Sequence, residues 1–206
     1  MKIICVGWNY GKHARELGAD TEKPQHPTIF LKPETALLKD GKPVYIPDFT
    51  KQLEYETELV VKVNRLGRGI SEKFASRYYA EVGLGIDFTA RDMQNEARRT
   101  GAPWDLCKGF DCSAPISSFI PLEEVGGDVQ NLNFHLDIDG STVQKGYSGD
   151  MIFSVDEIIA YVSEFYTLKI GDLIFTGTPA SVGPVSIGNH LEGWLEGRKM
   201  LDFHIK

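Results

Sequence analysis

The chain has 206 residues, with 22 Lys and Arg against 29 Asp and Glu and a formal charge of -7, a balance that argues against chain-wide attraction to nucleic acid. No apolar run approaches the roughly 20 residues of a membrane span, no linker or composition change divides the sequence, and one domain over residues 1–206 is expected. Three cysteines and no N-x-S/T acceptor fit a reducing, cytoplasmic setting better than a disulfide framework.

In chain order, KIICVG reads as a strand ending at Gly7 and Trp8. GKHARELG follows as a helix of two turns at most, in which His13 and Glu16, three apart, share a face. So short and Gly-bounded a segment is expected to be mobile without ligand. PTIFLKP is a strand closed by Pro33, followed by a turn at Asp40-Gly41 and a short VYIP strand; Lys32, at a strand end, either faces the pocket or, as strand-end lysines more often do, lies in solvent. In EYETELVVKVN, Glu56 and Glu58 stand two apart at the head of an apolar run, which puts both carboxylates on one face of a strand.

SEKFASRYYAEVG predicts a helix capped by Ser71, with Phe74, Tyr78 and Val82 on its core stripe and Gly83 as its stop. Asp87 ends the next short apolar segment, and TARDMQ opens a helix with Thr89 as N-cap, Arg98 and Arg99 in the last turn and Gly101 as stop. LNFHLDI and STVQKGY flank Asp139-Gly140, a strong hairpin signal. SVDEIIAYVSEFYTL carries an S-x-x-E capping box from Ser154 to Glu157. GDLIFTGTPASVG is a buried strand ending in a turn whose N–H groups and Thr178 hydroxyl suit a carboxylate. HLEGWLEG and KMLDFHIK read as closing strands. Strands dominate, helices are short and βαβ alternation is missing, so the fold class is α+β, predominantly β.

Chemistry concentrates between Glu54 and Asp111. A Glu-x-Glu pair alone is as well read as the solvated face of an antiparallel sheet. With Asp87, three carboxylates can converge on one hard divalent ion, and Arg91 and Gln94, sharing a helix face nearby, suit an anionic, oxygen-rich ligand. Cys107 and Cys112 lack a companion C-x-x-C and read as small hydrophobes, not soft-metal ligands.

The segments ETEL, GIDFTARDMQ, CKGFD, GDMIF and GDLIFTGTP, preceded by GWNYGKHARELG and FLKP, together resemble the fumarylacetoacetate hydrolase family across about residues 3–205. Within it, the chain is similar to the small single-domain acylpyruvate hydrolases and oxaloacetate decarboxylases. The resemblance implies a mixed β-sandwich roll with the site at one mouth of the sheets, assembled as a homodimer. It implies Mg2+, or Mn2+ with Ca2+ as a substitute, on Glu56, Glu58 and Asp87. It implies substrate binding by Arg91, Gln94 and Thr178, with Lys108 as a catalytic cation, residues 9–20 as a mobile lid that orders over the substrate, and His13 of that lid, oriented by Glu16, as the base that activates water. Trp8, where relatives often carry Arg, and Glu34-Thr35 after FLKP depart from the family pattern.

The expected reaction is cleavage of a C–C bond in a small 2-oxo acid through a metal-bound pyruvate enolate, as acylpyruvate hydrolysis or oxaloacetate decarboxylation. Isomerisation of a 2-hydroxy-dienoate shares that intermediate and is the alternative. A non-catalytic, metal-dependent domain binding an acidic ligand is the alternative of another class, and it gives no reason for His13 and Glu16.

Overall fold

The computed structural model describes residues 1–11 and 24–206. Its strands in chain order are β1 (Ile3–Gly7), β2 (Thr28–Lys32), β3 (Leu37–Leu38), β4 (Leu53–Tyr55), β5 (Thr57–Val63), β6 (Tyr79–Ile86), β7 (Thr89–Ala90), β8 (Ala114–Pro115), β9 (Ile120–Pro121), β10 (Asn133–Ile138), β11 (Ser141–Tyr147), β12 (Leu173–Phe175), β13 (Gly183–Pro184), β14 (His190–Leu195) and β15 (Arg198–His204). Six build a mixed sheet in the order β2-β1-β12-β5-β6-β9, and four build a second in the order β11-β10-β14-β15. The short sets β13-β4-β7 and β3-β8 complete the expected α+β, predominantly β architecture.

The six-stranded sheet is buried on both faces, which is why IICV and LVV read as continuous apolar runs without alternation. Ile4, Val6, Leu59, Val61 and Leu84 join a core shared with Phe134, Leu136, Leu191 and Phe203 of the second sheet and with Ile158, Ile159 and Val162 of the helix Val155–Phe165. Ile3, Cys5, Val60, Leu173 and Phe175 form a smaller core with Ala36, Ala114 and Ile116 on the other face. The predicted capping box is formed: the Ser154 side chain accepts from Glu157 N–H while the Glu157 carboxylate accepts from Ser154 N–H. Asp139 and Gly140, with φ of 52 and 77, turn β10 into β11 as the Asp-Gly pair predicts.

Three expectations need correction. SEKFASRYYAEVG is not one helix: a 3-10 segment ends at Tyr78, and β6 takes over because Tyr79, Val82 and Leu84 pair with β5 across the sheet. Pairing distant in sequence overrides the helical stripe, and Phe74 is left exposed. VYIP is reduced to a single bridge from Val44 to Ile205. Thr89 pairs with Glu54 in β7, so the helix Arg91–Thr100 has Ala90 at its N-cap, although Gly101 does end it in the left-handed region. The predicted opening helix and the 9–20 lid fall largely outside the described residues, as do His13 and Glu16. Among the described residues no helix is long and apolar enough to cross a membrane.

Strand directions put the candidate site at one end of the large sheet. β5 runs antiparallel to both β6 and β12. Its first turn of chain, with Glu56 and Glu58, therefore lies beside Asp87, just past β6, and Gly177, just past β12. β1 is parallel to β12, so Trp8 leaves the sheet at the same end.

Candidate functional site

Glu56, Glu58 and Asp87 come together with one carboxylate oxygen each within 4.8 Å of the others, and all three are buried. The backbone makes this possible. Thr57 is registered with Ile86, and one residue further Asp87 N–H donates to Glu56 O at 2.8 Å, so the two acids face each other as the ladder ends.

Each carboxylate is held differently. Lys108 Nζ lies 2.8 Å from Glu56 Oε2 and 2.6 Å from Asp87 Oδ2, and it also donates to Thr89 Oγ1 at 2.6 Å. Burial alone lowers the pKa of such an amine, but Asp87 and Glu56 outweigh it and hold Lys108 firmly charged. Asp87 has a second ammonium, Lys32 Nζ, 2.7 Å from Oδ1. Lys32 is buried and donates to Ser113 Oγ at 2.9 Å and to the carbonyls of Ser113, Phe88 and Lys108. Of the two readings of Lys32, the inward-facing one holds and the more common solvated one does not; its parity on β2 was the available signal, since Leu31 beside it is the exposed residue.

Arg91 donates from Nε to Glu54 Oε2 at 2.6 Å, from one terminal nitrogen to Glu56 and from the other to Gln94 Oε1. Its three nitrogens are thus directed at protein acceptors, and Glu54, which the sequence offered only as the start of the run, anchors it. Gln94 keeps its amide nitrogen for the cleft it lines. The Thr178 hydroxyl donates to Thr57 O at 2.9 Å and accepts from Gln144 Nε2 at 2.8 Å, also at the cleft wall.

Glu58 is the acid left over. Its Oε2 accepts from Gly177 N–H at 2.7 Å. Burial first, then Asp87 and Glu56, push its pKa well up, against weaker opposition from Lys108 and that N–H. Four buried carboxylates, counting Glu54, thus face three buried cations, Lys32, Lys108 and Arg91. Oxygen-only donors with one surplus negative charge in a dry pocket are what a hard divalent ion needs, so the residues fit one.

Glu34, one of the departures from the family pattern, pairs with the N-terminal ammonium at 3.2 Å and is largely exposed. Cys107 is a buried thiol, as read, and Cys5 is buried too, whereas Cys112, read with Cys107 as a buried small hydrophobe, is only half-buried. A second cluster, His190, Glu192 and Asp202, lies on β14 and β15, partly exposed, with Lys199 Nζ already 3.0 Å from Glu192 and 2.7 Å from Asp202. A cavity of about 670 Å³ lined by Lys39, Lys62, Ser117, Phe119 and Met200 contains none of the buried acids.

A profile of the fumarylacetoacetate (FAA) hydrolase C-terminal family matches residues 2–206. The chain is 41% identical to the bovine (Bos taurus) mitochondrial oxaloacetate tautomerase FAHD1 over 204 residues, covering 99% of this chain and 91% of that protein. It is 40% identical to the oxaloacetate tautomerase YcgM of Escherichia coli K12 over 199 residues, covering 97% and 90%. Among solved structures, fumarylpyruvate hydrolase from Pseudomonas aeruginosa in complex with Mn2+ and pyruvate superimposes with a TM-score of 0.93 at 35% identity, covering 100% of this chain and 89% of that one. Each of the three is named for an enzymatic activity.

Proposed function

This chain belongs to the fumarylacetoacetate hydrolase family, and from that premise we propose a divalent-metal-dependent enzyme that interconverts the keto and enol forms of a small 2-oxo acid, oxaloacetate first. The observation that carries this reading is the buried triad Glu56, Glu58 and Asp87 with its surplus negative charge beside Lys108. Similarity to two oxaloacetate tautomerases supports the choice of substrate.

Glu56, Glu58 and Asp87 would hold Mg2+ or Mn2+, which when bound supplies Lewis-acid polarisation of the 2-oxo group and an anchor for the adjacent carboxylate. The side chains do the rest. Lys108, kept charged by two carboxylates, favours the negative charge that gathers on the 2-oxo oxygen as the C3 proton leaves. Lys32 and Arg91 keep Asp87 and Glu56 aimed, so the triad needs little reorganisation. The Gln94 amide nitrogen donates to a substrate oxygen. His13, oriented by Glu16, takes the C3 proton while the 2-oxo oxygen gains one from solvent to give the enol, and in ketonisation it delivers a proton to C3 as the enol oxygen loses its own; this assignment rests on the family resemblance.

A second reading is C–C cleavage of an acylpyruvate, favoured by the likeness to fumarylpyruvate hydrolase. It uses the same charge on the 2-oxo oxygen, with His13 now activating water for attack on the 4-oxo carbon. Loss of CO2 from oxaloacetate needs the charge stabilisation but no water.

Decay of enol-oxaloacetate, followed by ultraviolet absorbance with Mg2+ or Mn2+ and after chelation, tests the reading. Metal-loaded wild type is expected to accelerate ketonisation, and Lys108→Ala to lose about 10²-fold or more. Equal rates before and after chelation would end the metal-dependent reading. Cleavage of fumarylpyruvate or acetylpyruvate without any effect on enol-oxaloacetate would put the second reading first.

A further inference from the structure

The cleft wall carries a cation that the reaction as proposed does not use. Arg98 follows Arg91 by seven and Gln94 by four on the helix Arg91–Thr100, so it shares their face. Its guanidinium lies 5.4 Å from the Trp8 ring and 5.7 Å from the Trp104 ring. The two indoles meet edge to face at 5.0 Å, and both line the cleft together with Arg98, Glu56, Asp87 and Lys108.

The pair is built into the backbone. Trp8 has a φ of 56, a left-handed conformation that a bulky residue holds only where its surroundings over-determine it. Trp104 packs against Gly7 and Phe30 and immediately precedes the short helix Asp105–Lys108.

Among the described residues no carboxylate forms an ion pair with Arg98, and its Nε is buried without a hydrogen-bond partner. Burial, then the nearby Arg91, disfavours its charge, against a smaller pull from Glu56. A buried donor left open is a cost that an incoming anion removes. The charges agree: Glu54, Glu56, Glu58 and Asp87 exceed the buried Lys32, Lys108 and Arg91 by one negative charge, and a divalent ion together with Arg98 leaves two positive charges for a substrate that is itself a dianion.

Resting on the 2-oxo acid chemistry above, we propose that Arg98, seated against the Trp8–Trp104 pair, is a specificity-determining residue that receives the second carboxylate of a dicarboxylic 2-oxo acid. An acylpyruvate with an apolar end leaves this guanidinium unpaired in a desolvated cleft and is disfavoured. The substrate class is accordingly the 2-oxo dicarboxylates.

The test is calorimetric binding to Mg2+-loaded protein of 2-oxoglutarate and 2-oxovalerate, which share head and chain length and differ in a terminal carboxylate against a methyl. Wild type is expected to prefer 2-oxoglutarate by about tenfold or more, Arg98→Gln to bring the two within about twofold, and Arg98→Lys to keep most of the preference. Oxalate, which fills only the head position, reports on each variant's folding and metal site. No preference in wild type, a preference that survives in Arg98→Gln, or equal loss of all three ligands would overturn the assignment. Because the comparison needs no turnover, it stands or falls separately from the enol-oxaloacetate assay.

Discussion

Replacing Lys32 by Met keeps the volume of a side chain that is 0% exposed while removing its charge and its donors. Two losses follow from the geometry. Asp87 Oδ1 loses the ammonium at 2.7 Å, and the carbonyls of Phe88 and Ser113 lose a shared donor at 3.3 and 3.2 Å. Removing one partner of a buried pair costs about 3–5 kcal/mol. Asp87 keeps Lys108 at 2.6 Å, which pulls the figure down, and the stranded carbonyls push it back up, so about 4 kcal/mol is expected. Urea unfolding read by fluorescence should show the midpoint falling by about 1.5 M with the slope unchanged. Saturating Mg2+ should restore part of the loss, because it returns positive charge to Asp87. In a double-mutant cycle with Asp87→Asn the two costs should couple, the double variant losing less than their sum. A loss below about 1 kcal/mol, or strictly additive costs, would refute the view that Lys32 is a counter-charge for buried Asp87.

Two further outcomes are expected. Asp172 accepts from the N–H groups of Lys2 and Lys169, each at 2.8 Å, and pairs with the Lys2 ammonium; burial raises its pKa, but these bonds outweigh it and leave it depressed. Its stabilisation is therefore complete above the unfolded value of about 3.9 and is lost as pH falls through the lower folded value, so the Asp172→Asn deficit, about 1–2 kcal/mol at pH 7, should close below about pH 4 in acid titrations of urea stability. Gly177, at φ 98, would place a Cβ 2.6 Å from the Asn9 Cβ, and its N–H holds Glu58. Gly177→Ala should cost about 1–3 kcal/mol and weaken Mg2+ binding in calorimetric titration; unchanged affinity would show that Glu58 needs no backbone support.

What could be read in advance followed from local rules. The Ser154–Glu157 box and the Asp139-Gly140 turn are settled within four residues of chain, and both formed. The Glu56, Glu58 and Asp87 cluster needed only a strand parity and one ladder. Lys32, Glu54 and the seat of Arg98 were not legible, because their roles depend on which distant group lies opposite: Asp87 for Lys32, Arg91 for Glu54, two indoles for Arg98. The failed helix over Ser71–Gly83 has the same cause, since β6 exists through its pairing with β5. His13 and Glu16 fall outside the described residues, and their part rests on the family resemblance.

The parallel pairing of β1 with β12 has a consequence for biosynthesis. Ile3 is registered with Leu173, and Glu58 reaches Gly177 across 119 positions. A nascent chain emerging at about 5–20 residues per second therefore carries its first strand for on the order of ten seconds before the neighbour that flanks it on the core side exists. During that interval the acidic cluster has neither the β12 ladder nor the Gly177 N–H. Contacts this distant close late and slowly, so the corner carrying Glu56, Glu58 and Asp87 should be among the last parts of the molecule to take shape, and chains truncated before residue 177 should retain β10–β11 hairpin structure while binding Mg2+ more weakly than the full chain.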